Sequence, residues 1–165
     1  MVYVIVGSKH DLPVVAKSKF EVILNAVGIK FKVHVISAHR NPSELKAFCA
    51  SVMTHELNVF VAVAGWAAAL AGAIAAETQG WFPVIGVPLP GGPYQNDSLY
   101  SMASMPPGRP VLVVPNLDNA AIAAVQIITF GVGAGNFRTQ MREYLAKSTP
   151  EPSMNVNLAD HRKKE

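Results

Sequence analysis

Short apolar runs alternate along the chain with stretches in which large apolar residues recur every three or four positions. Even alternation of this kind marks βαβ units feeding one parallel sheet. Val2–Val6 is a continuous apolar run that ends in Gly7-Ser8, as expected of a strand covered on both faces. Asp11 is then placed to cap a helix in which Pro13 suits the first turn, and Val15, Phe20, Ile23, Leu24 and Val27 follow until Gly28. Phe31–Ile36 predicts a second strand, Ser37-Ala38-His39-Arg40 the turn after it, and Asn41-Pro42-Ser43-Glu44 the start of a helix reaching His55. Val59–Val63, Phe82–Val87 and Pro110–Val114 predict strands three to five. An Ala-rich helix should follow Ala64-Gly65, and a Pro/Gly loop, Pro88-Leu89-Pro90-Gly91-Gly92-Pro93, should follow strand four. Two further helices are expected, Leu117 to Phe130 and Asn136 to Lys147, the second with Phe137, Met141, Tyr144 and Leu145 on its apolar side. The pattern gives one α/β domain over residues 1–147 and, over 148–165, a flexible tail or an arm ordered by a neighbouring subunit.

Composition agrees with a single folded domain: 165 residues, 50% hydrophobic and only 15% charged. The net charge of +3 hints at an anionic partner, but its distribution says more. Residues 1–50 hold seven basic and three acidic side chains, residues 51–135 one and four, and residues 136–165 six and four. No dense basic stripe with interleaved aromatics exists, so nucleic acid is not the expected partner. The middle segment, with five charges, is too poorly charged to be mostly solvated surface, which predicts burial partly against other subunits of a homo-oligomer. Cys49, the single cysteine, suits a reducing, cytoplasmic setting. The first residues lack the basic and apolar regions of a secretory signal and read as a strand. Leu57 to Ala76 carries no charge, but nine of its residues are Ala and Gly65 and Gly72 interrupt it, so a buried strand and a packed helix are expected there rather than a membrane span.

In open parallel sheets ligands bind beyond the carboxyl ends of the strands, and the polar residues collect there. Gly7-Ser8-Lys9-His10-Asp11, Ser37-Ala38-His39-Arg40, Ala64-Gly65 and the loop leading to Asn96-Asp97-Ser98 should share one rim. Gly7-Ser8 at a strand-to-helix turn lets backbone approach an anion, with helix-start amides favouring phosphate; the plainer alternative is a tight turn with Asp11 as helix cap. Arg40 suits a bidentate phosphate contact. His39 beside it is either a solvated turn residue or an acid/base, and the two turns together point to the second. His34 and His55 read as structural. With no HExxH, paired CxxC or aspartate-rich loop, no metal is expected, and without P-loop or GxGxxG patterns neither nucleoside triphosphate nor dinucleotide cofactors gain support.

Five blocks together resemble the PurE family: Gly7-Ser8-x-x-Asp11, Ser37-Ala38-His39-Arg40-Asn41-Pro42, Val63-Ala64-Gly65-x-Ala67-Ala68, Pro83-Val84-Ile85-Gly86-Val87-Pro88, and Asp97-Ser98-Leu99-Tyr100-Ser101-Met102-x-x-Met105-Pro106. The resemblance covers residues 2–130. It implies a flavodoxin-like, doubly wound three-layer fold assembled as a homo-octamer, acting in purine biosynthesis without metal or organic cofactor. The activity implied is that of an N5-carboxyaminoimidazole ribonucleotide mutase, with a phosphoribosyl aminoimidazole and CO2 as its small-molecule partners. Carried onto this chain, Ser8 and Arg40 hold the 5′-phosphate and Asp11 the ribose hydroxyls. Ser37 and the Ala64-Gly65 turn line the base and carboxylate, His39 is the general acid/base, and Gly7, His10 and Ala67 complete the substrate-binding set. A dry pocket that retains CO2 is implied near the apolar turn around Trp66. Three departures stand out. His10 occupies the place of a second serine in Gly-Ser-x-Ser-Asp, Ala69 and Ala71 replace the histidine and proline of Ala-Gly-x-Ala-Ala-His-Leu-Pro-Gly, and the segment Pro115–Ala121 is shortened. They keep two alternatives in view: an aminoimidazole ribonucleotide carboxylase using CO2 directly, and a non-catalytic paralogue that retains ligand binding.

Overall fold

The computed structural model describes residues 1–53, 57–131, 139–140 and 143–144. The tail from 148 onward, His55, and most of the helix expected over Asn136 to Lys147 lie outside the described residues; the four described there, Thr139, Gln140, Glu143 and Tyr144, are helical.

Five strands, β1 (Val2–Val6), β2 (Phe31–Val35), β3 (Val59–Ala64), β4 (Val84–Pro88) and β5 (Leu112–Val113), form one sheet in the order β2-β1-β3-β4-β5. Every pairing is parallel. Because side chains alternate across a strand, Val2, Val4 and Val6 join Val59, Val61 and Val63 on one face, where Phe20, Ile23 and Leu24 of α2 (Phe20–Ala26) and Ala120, Ala121 and Ala124 of α6 (Leu117–Gly131) cover them. Ile5, Phe60, Ala62 and Val84 point the other way. They pack on Leu45 and Cys49 of α3 (Pro42–Val52), Leu70, Ala71 and Ile74 of α4 (Leu70–Glu77), and Met102 of α5 (Asp97–Ala103). The result is a three-layer sandwich with the flavodoxin-like strand order 2-1-3-4-5.

Gly86 in β4 shows how closely the second face is filled. A Cβ there would lie 2.9 Å from the Met102 sulfur and 3.1 Å from Val111 Cγ1, so any side chain on this inner strand would have to displace both neighbours.

The structure corrects the expected elements in four places. The first helix is not continuous: a one-turn 3-10 helix (Lys9–Asp11) leads into α1 (Leu12–Lys17), and α2 starts afresh at Phe20. Ser18 makes the break, its hydroxyl donating to the Val15 carbonyl (2.7 Å) and accepting from the Phe20 amide (3.2 Å), while the Lys19 amide donates to Asp118 of α6 (2.8 Å). α5 was not anticipated. Strand five is reduced to two residues, and β4 starts two residues later than its apolar run. The uncharged stretch from Leu57 divides into β3 and α4 as expected. Among the described residues no helix is long and apolar enough to cross a membrane.

Candidate functional site

In this strand order the chain leaves β1 toward one side of the sheet and reaches β3 on the other, so a crevice opens beyond the carboxyl ends of those neighbouring strands. A cavity of about 500 Å³ lies there. Gly7, Ser8, His10 and Asp11 reach it from β1, Ser37, Ala38, His39 and Arg40 from β2, and Ala64, Gly65, Trp66, Ala68, Ala69 and Leu70 from β3. Nine of the ten residues singled out from the sequence therefore line one cavity. The tenth, Ala67, is exposed on the same turn and does not line the cavity. A second basin shares Gly7, Ser8, His10, Ser37 and Arg40 and extends toward Asn41 and Glu44, so these polar groups form a ridge reached from both sides.

Backbone pairing places the ridge. The Gly7 amide donates to the Val63 carbonyl (3.0 Å), extending the β1–β3 ladder one residue into the site. Its carbonyl accepts from Arg40 Nη2 (3.3 Å). Ser37, buried in the turn after β2, accepts through Oγ from the Arg40 amide (3.2 Å) and from Arg40 Nε (3.4 Å). The guanidinium is thus oriented by two strand ends, with two of the five N–H groups of an arginine engaged and the rest available to an anion.

The turn after β1 is built differently from its sequence reading. Ser8, and not Asp11, caps it: the Ser8 hydroxyl accepts from the His10 amide (3.3 Å), whereas Asp11 makes no side-chain cap at α1. The helical piece is a single 3-10 turn, so a helix dipole contributes little to anion binding here. An anion placed here would meet side chains instead. Ser8 Oγ lies 3.2 Å from His10 Nδ1, which puts a hydroxyl and an imidazole side by side near Arg40. Asp11 is left facing the cavity. Burial pushes its carboxyl above the ordinary value, against the lowering pull of His10 and Arg40. A hydroxyl-bearing ligand would supply the hydrogen bonds that a partly desolvated carboxylate lacks. The His39 ring is exposed at the cavity, and among the described residues no side-chain hydrogen bond or ion pair anchors it.

The β3 side carries no ionisable side chain. Ala64 is buried, and a Cβ on Gly65 would stand 3.3 Å from the Leu89 carbonyl oxygen, so the turn runs against the Pro/Gly loop. Trp66 and Ala68 adopt left-handed backbone, with φ of 57° and 38°, a region costly for side chains with a Cβ. Ala69, the residue before α4, presents a methyl group to the cavity. Trp66 and Leu70 were not singled out as ligand-contacting from the sequence. A stretch of small apolar residues gives no local signal of which one will face a cleft. Among the described residues no group of three or more His, Cys, Asp or Glu side chains is arranged to hold a metal ion.

Comparison with known proteins bears on this geometry. A family model described as AIR carboxylase matches residues 1–151. Phosphoribosylaminoimidazole carboxylase of Saccharomyces cerevisiae is 38% identical over 154 residues, covering 92% of this chain and 26% of that protein. The chain spans about a quarter of the length of the fungal carboxylases it matches. N5-carboxyaminoimidazole ribonucleotide mutase of Pyrococcus horikoshii is 35% identical over 148 residues, 88% of this chain and 80% of that protein. The crystal structure of Treponema denticola PurE matches with a TM-score of 0.77 at 21% identity, covering 99% of this chain and 98% of that one, a likeness of fold.

Proposed function

The chain belongs to the AIR carboxylase family, also called the PurE family, and on that premise we propose that it is an N5-carboxyaminoimidazole ribonucleotide mutase of purine biosynthesis. The observation that carries the reading is the single cavity that collects the Arg40 guanidinium, the Ser8 hydroxyl and the His39 ring. Ser8 and Arg40 hold the 5′-phosphate through charge-assisted hydrogen bonds. Asp11 accepts from the ribose hydroxyls. Ser37 and the Ala64-Gly65 turn border the base and its carboxylate.

His39 moves the protons. Its protonated ring donates to the carbamate nitrogen as the N–C bond breaks and CO2 departs. The apolar β3 turn keeps CO2 near the ring, and carbon 4 of the imidazole attacks it, forming the new C–C bond. The same His39 nitrogen, now neutral, removes the proton from carbon 4 and restores aromaticity. Imidazole suits both transfers because it exchanges protons near neutral pH. The scheme uses no metal or organic cofactor. A homo-octamer is part of the proposal, supported by the large exposed side chains of Trp81 and Phe130 in the weakly charged middle of the chain; light scattering of the purified protein measures it.

The test supplies N5-carboxyaminoimidazole ribonucleotide and follows the 4-carboxy product. Wild type should convert it, and His39→Ala should lose about 10²–10⁴-fold in kcat; unchanged turnover in His39→Ala would reject the assignment. One observation favours a second reading. Ala69 lines the cavity where the mutase motif of the resemblance has a histidine, which supports a carboxylase acting on aminoimidazole ribonucleotide and CO2 directly. Product formation that requires bicarbonate or CO2, and not the carbamate, selects it. Nucleotide binding with no turnover of either substrate selects the non-catalytic paralogue.

A further inference from the structure

We propose that Trp66 is a specificity-determining residue of this cavity, its indole forming the platform on which the flat heteroaromatic ring of the ligand lies. The inference rests on the nucleotide reading of the site and adds the group that distinguishes a base-bearing nucleotide from a bare sugar phosphate. Four observations converge on it. Trp66 lines the same cavity as Ser8, His39 and Arg40, and among the described residues it is the one large aromatic side chain lining it. It is 67% exposed, although it sits at the mouth of a cleft whose floor is buried.

The Pro/Gly loop runs beside the indole: a Cβ on Gly91 would come into ordinary van der Waals contact with Trp66 Cδ1 and Nε1 (3.6 Å), and one on Gly92 with Cε3 (3.7 Å), so the loop passes one side-chain layer from both rings. Gly92 has a φ of 91°, a backbone turn that glycine adopts without strain and that carries the loop past the side chain. Finally, the Trp66 backbone is held at a φ of 57°, a conformation unusual for a bulky residue and of the kind that gathers at binding sites. A strained backbone and the glycine loop border the indole on one side and leave the other open. An electron-rich aminoimidazole ring stacked on that open surface, with its phosphate at Arg40, uses the offset geometry aromatic pairs favour.

The experiment is equilibrium binding in a Trp81→Phe background, where Trp66 is the single tryptophan of the two in the chain. 5-Aminoimidazole ribonucleotide and ribose 5-phosphate are titrated separately and indole fluorescence is read. The nucleotide should quench the emission and ribose 5-phosphate at equal occupancy should not. By calorimetry on the otherwise unmodified protein, Trp66→Gly should weaken nucleotide binding about tenfold and leave ribose 5-phosphate binding unchanged, while Trp66→Phe recovers most of the loss. Glycine is the residue that φ favours, and circular dichroism checks the fold of the variant. Equal nucleotide affinity in Trp66→Gly overturns the proposal. So does a change of oligomeric state with ligand discrimination intact, which makes Trp66 an interface residue. Quenching by the nucleotide without any turnover supports the platform and overturns the mutase reading; wild-type turnover with unaltered kinetics in Trp66→Gly overturns the platform alone. Failure of the wild type to bind either ligand overturns both.

Discussion

The two walls of the cavity are made in opposite ways. On the β1–β2 side, side chains do the work: Ser37 and the Gly7 carbonyl orient Arg40, and Ser8 stands beside His10. On the β3 side the wall is alanine, glycine, Leu70 and one indole, and its shape comes from backbone at positive φ packed on a Pro/Gly loop. On the proposed reading the polar wall would fix and protonate a ligand, whereas the apolar wall would exclude water and set the shape of what fits. Substitutions should therefore separate. Changes on the first wall alter rate or anion affinity with the fold intact, and changes on the second alter stability and selectivity.

The largest effect expected is at His39. His39→Ala should reduce kcat about 10²–10⁴-fold with nucleotide affinity nearly unchanged, measured by stopped assay and calorimetry; a loss confined to KM would move His39 from proton transfer to binding. Next comes Arg40→Ala, which removes charged hydrogen bonds of about 1.5–3 kcal/mol and should weaken binding of any phosphate-bearing ligand accordingly. Because Ser37 orients Arg40, Ser37→Ala should add little on top of it, a non-additivity that a double-mutant cycle reads directly.

On the other wall, Gly92→Ala places a Cβ 3.3 Å from Asp97 Oδ2 and 3.5 Å from Trp66 Cα, at a φ of 91°. A stability loss of about 1–2 kcal/mol in urea unfolding is expected, with phosphate affinity retained. If anion binding falls in parallel, the walls are coupled and the division fails.

The smallest effect concerns acid. His34 on β2 packs 4.5 Å from Phe48 and 6.3 Å from Tyr3 between ring centroids, and its Nε2 is buried without a hydrogen-bond partner among the described residues. Burial, with a contribution from Lys32, lowers its pKa from 6.5. A base whose folded pKa is depressed binds its proton better when unfolded. Its contribution is fully present above about pH 6.5 and is lost as pH falls toward and through the folded value. The thermal midpoint should drop between about pH 7.5 and pH 5.5, and the drop should shrink in His34→Phe. Since β2 leads into the Ser37–Arg40 turn, acid should loosen the polar wall first.

Much of this architecture was legible in the residue order. Strands β1, β3 and β4 are covered on both faces and so appear as unbroken apolar runs, and Ser-Ala-His-Arg after β2 marked the polar wall. What escaped has physical reasons. The break at Ser18 depends on Lys19 meeting Asp118, 99 residues away, and apolar spacing across Val15 and Phe20 gave no warning. Asp11 looked like a helix cap because its type favours that position, but the capping bond forms one turn earlier, from the His10 amide to Ser8, and Pro13 in the first turn of α1 has no N–H to offer Asp11. α5 is seven residues long and follows Asn96, whose φ is 70°, too short for a periodic pattern to declare itself. The torsion at Trp66 arises from the meeting of two loops, which no neighbouring residue encodes.

Gly7 has a consequence for the order in which the molecule assembles. Its peptide unit is riveted on one side to β3 and on the other to the arginine beyond β2, so this corner exists only when three strands have come into register. The Gly7 amide should exchange its hydrogen as slowly as the central strands, while the loops surrounding it exchange quickly. A bound phosphate would then act as a clamp on the finished sheet, tying occupancy of the cleft to cooperative unfolding of the whole domain.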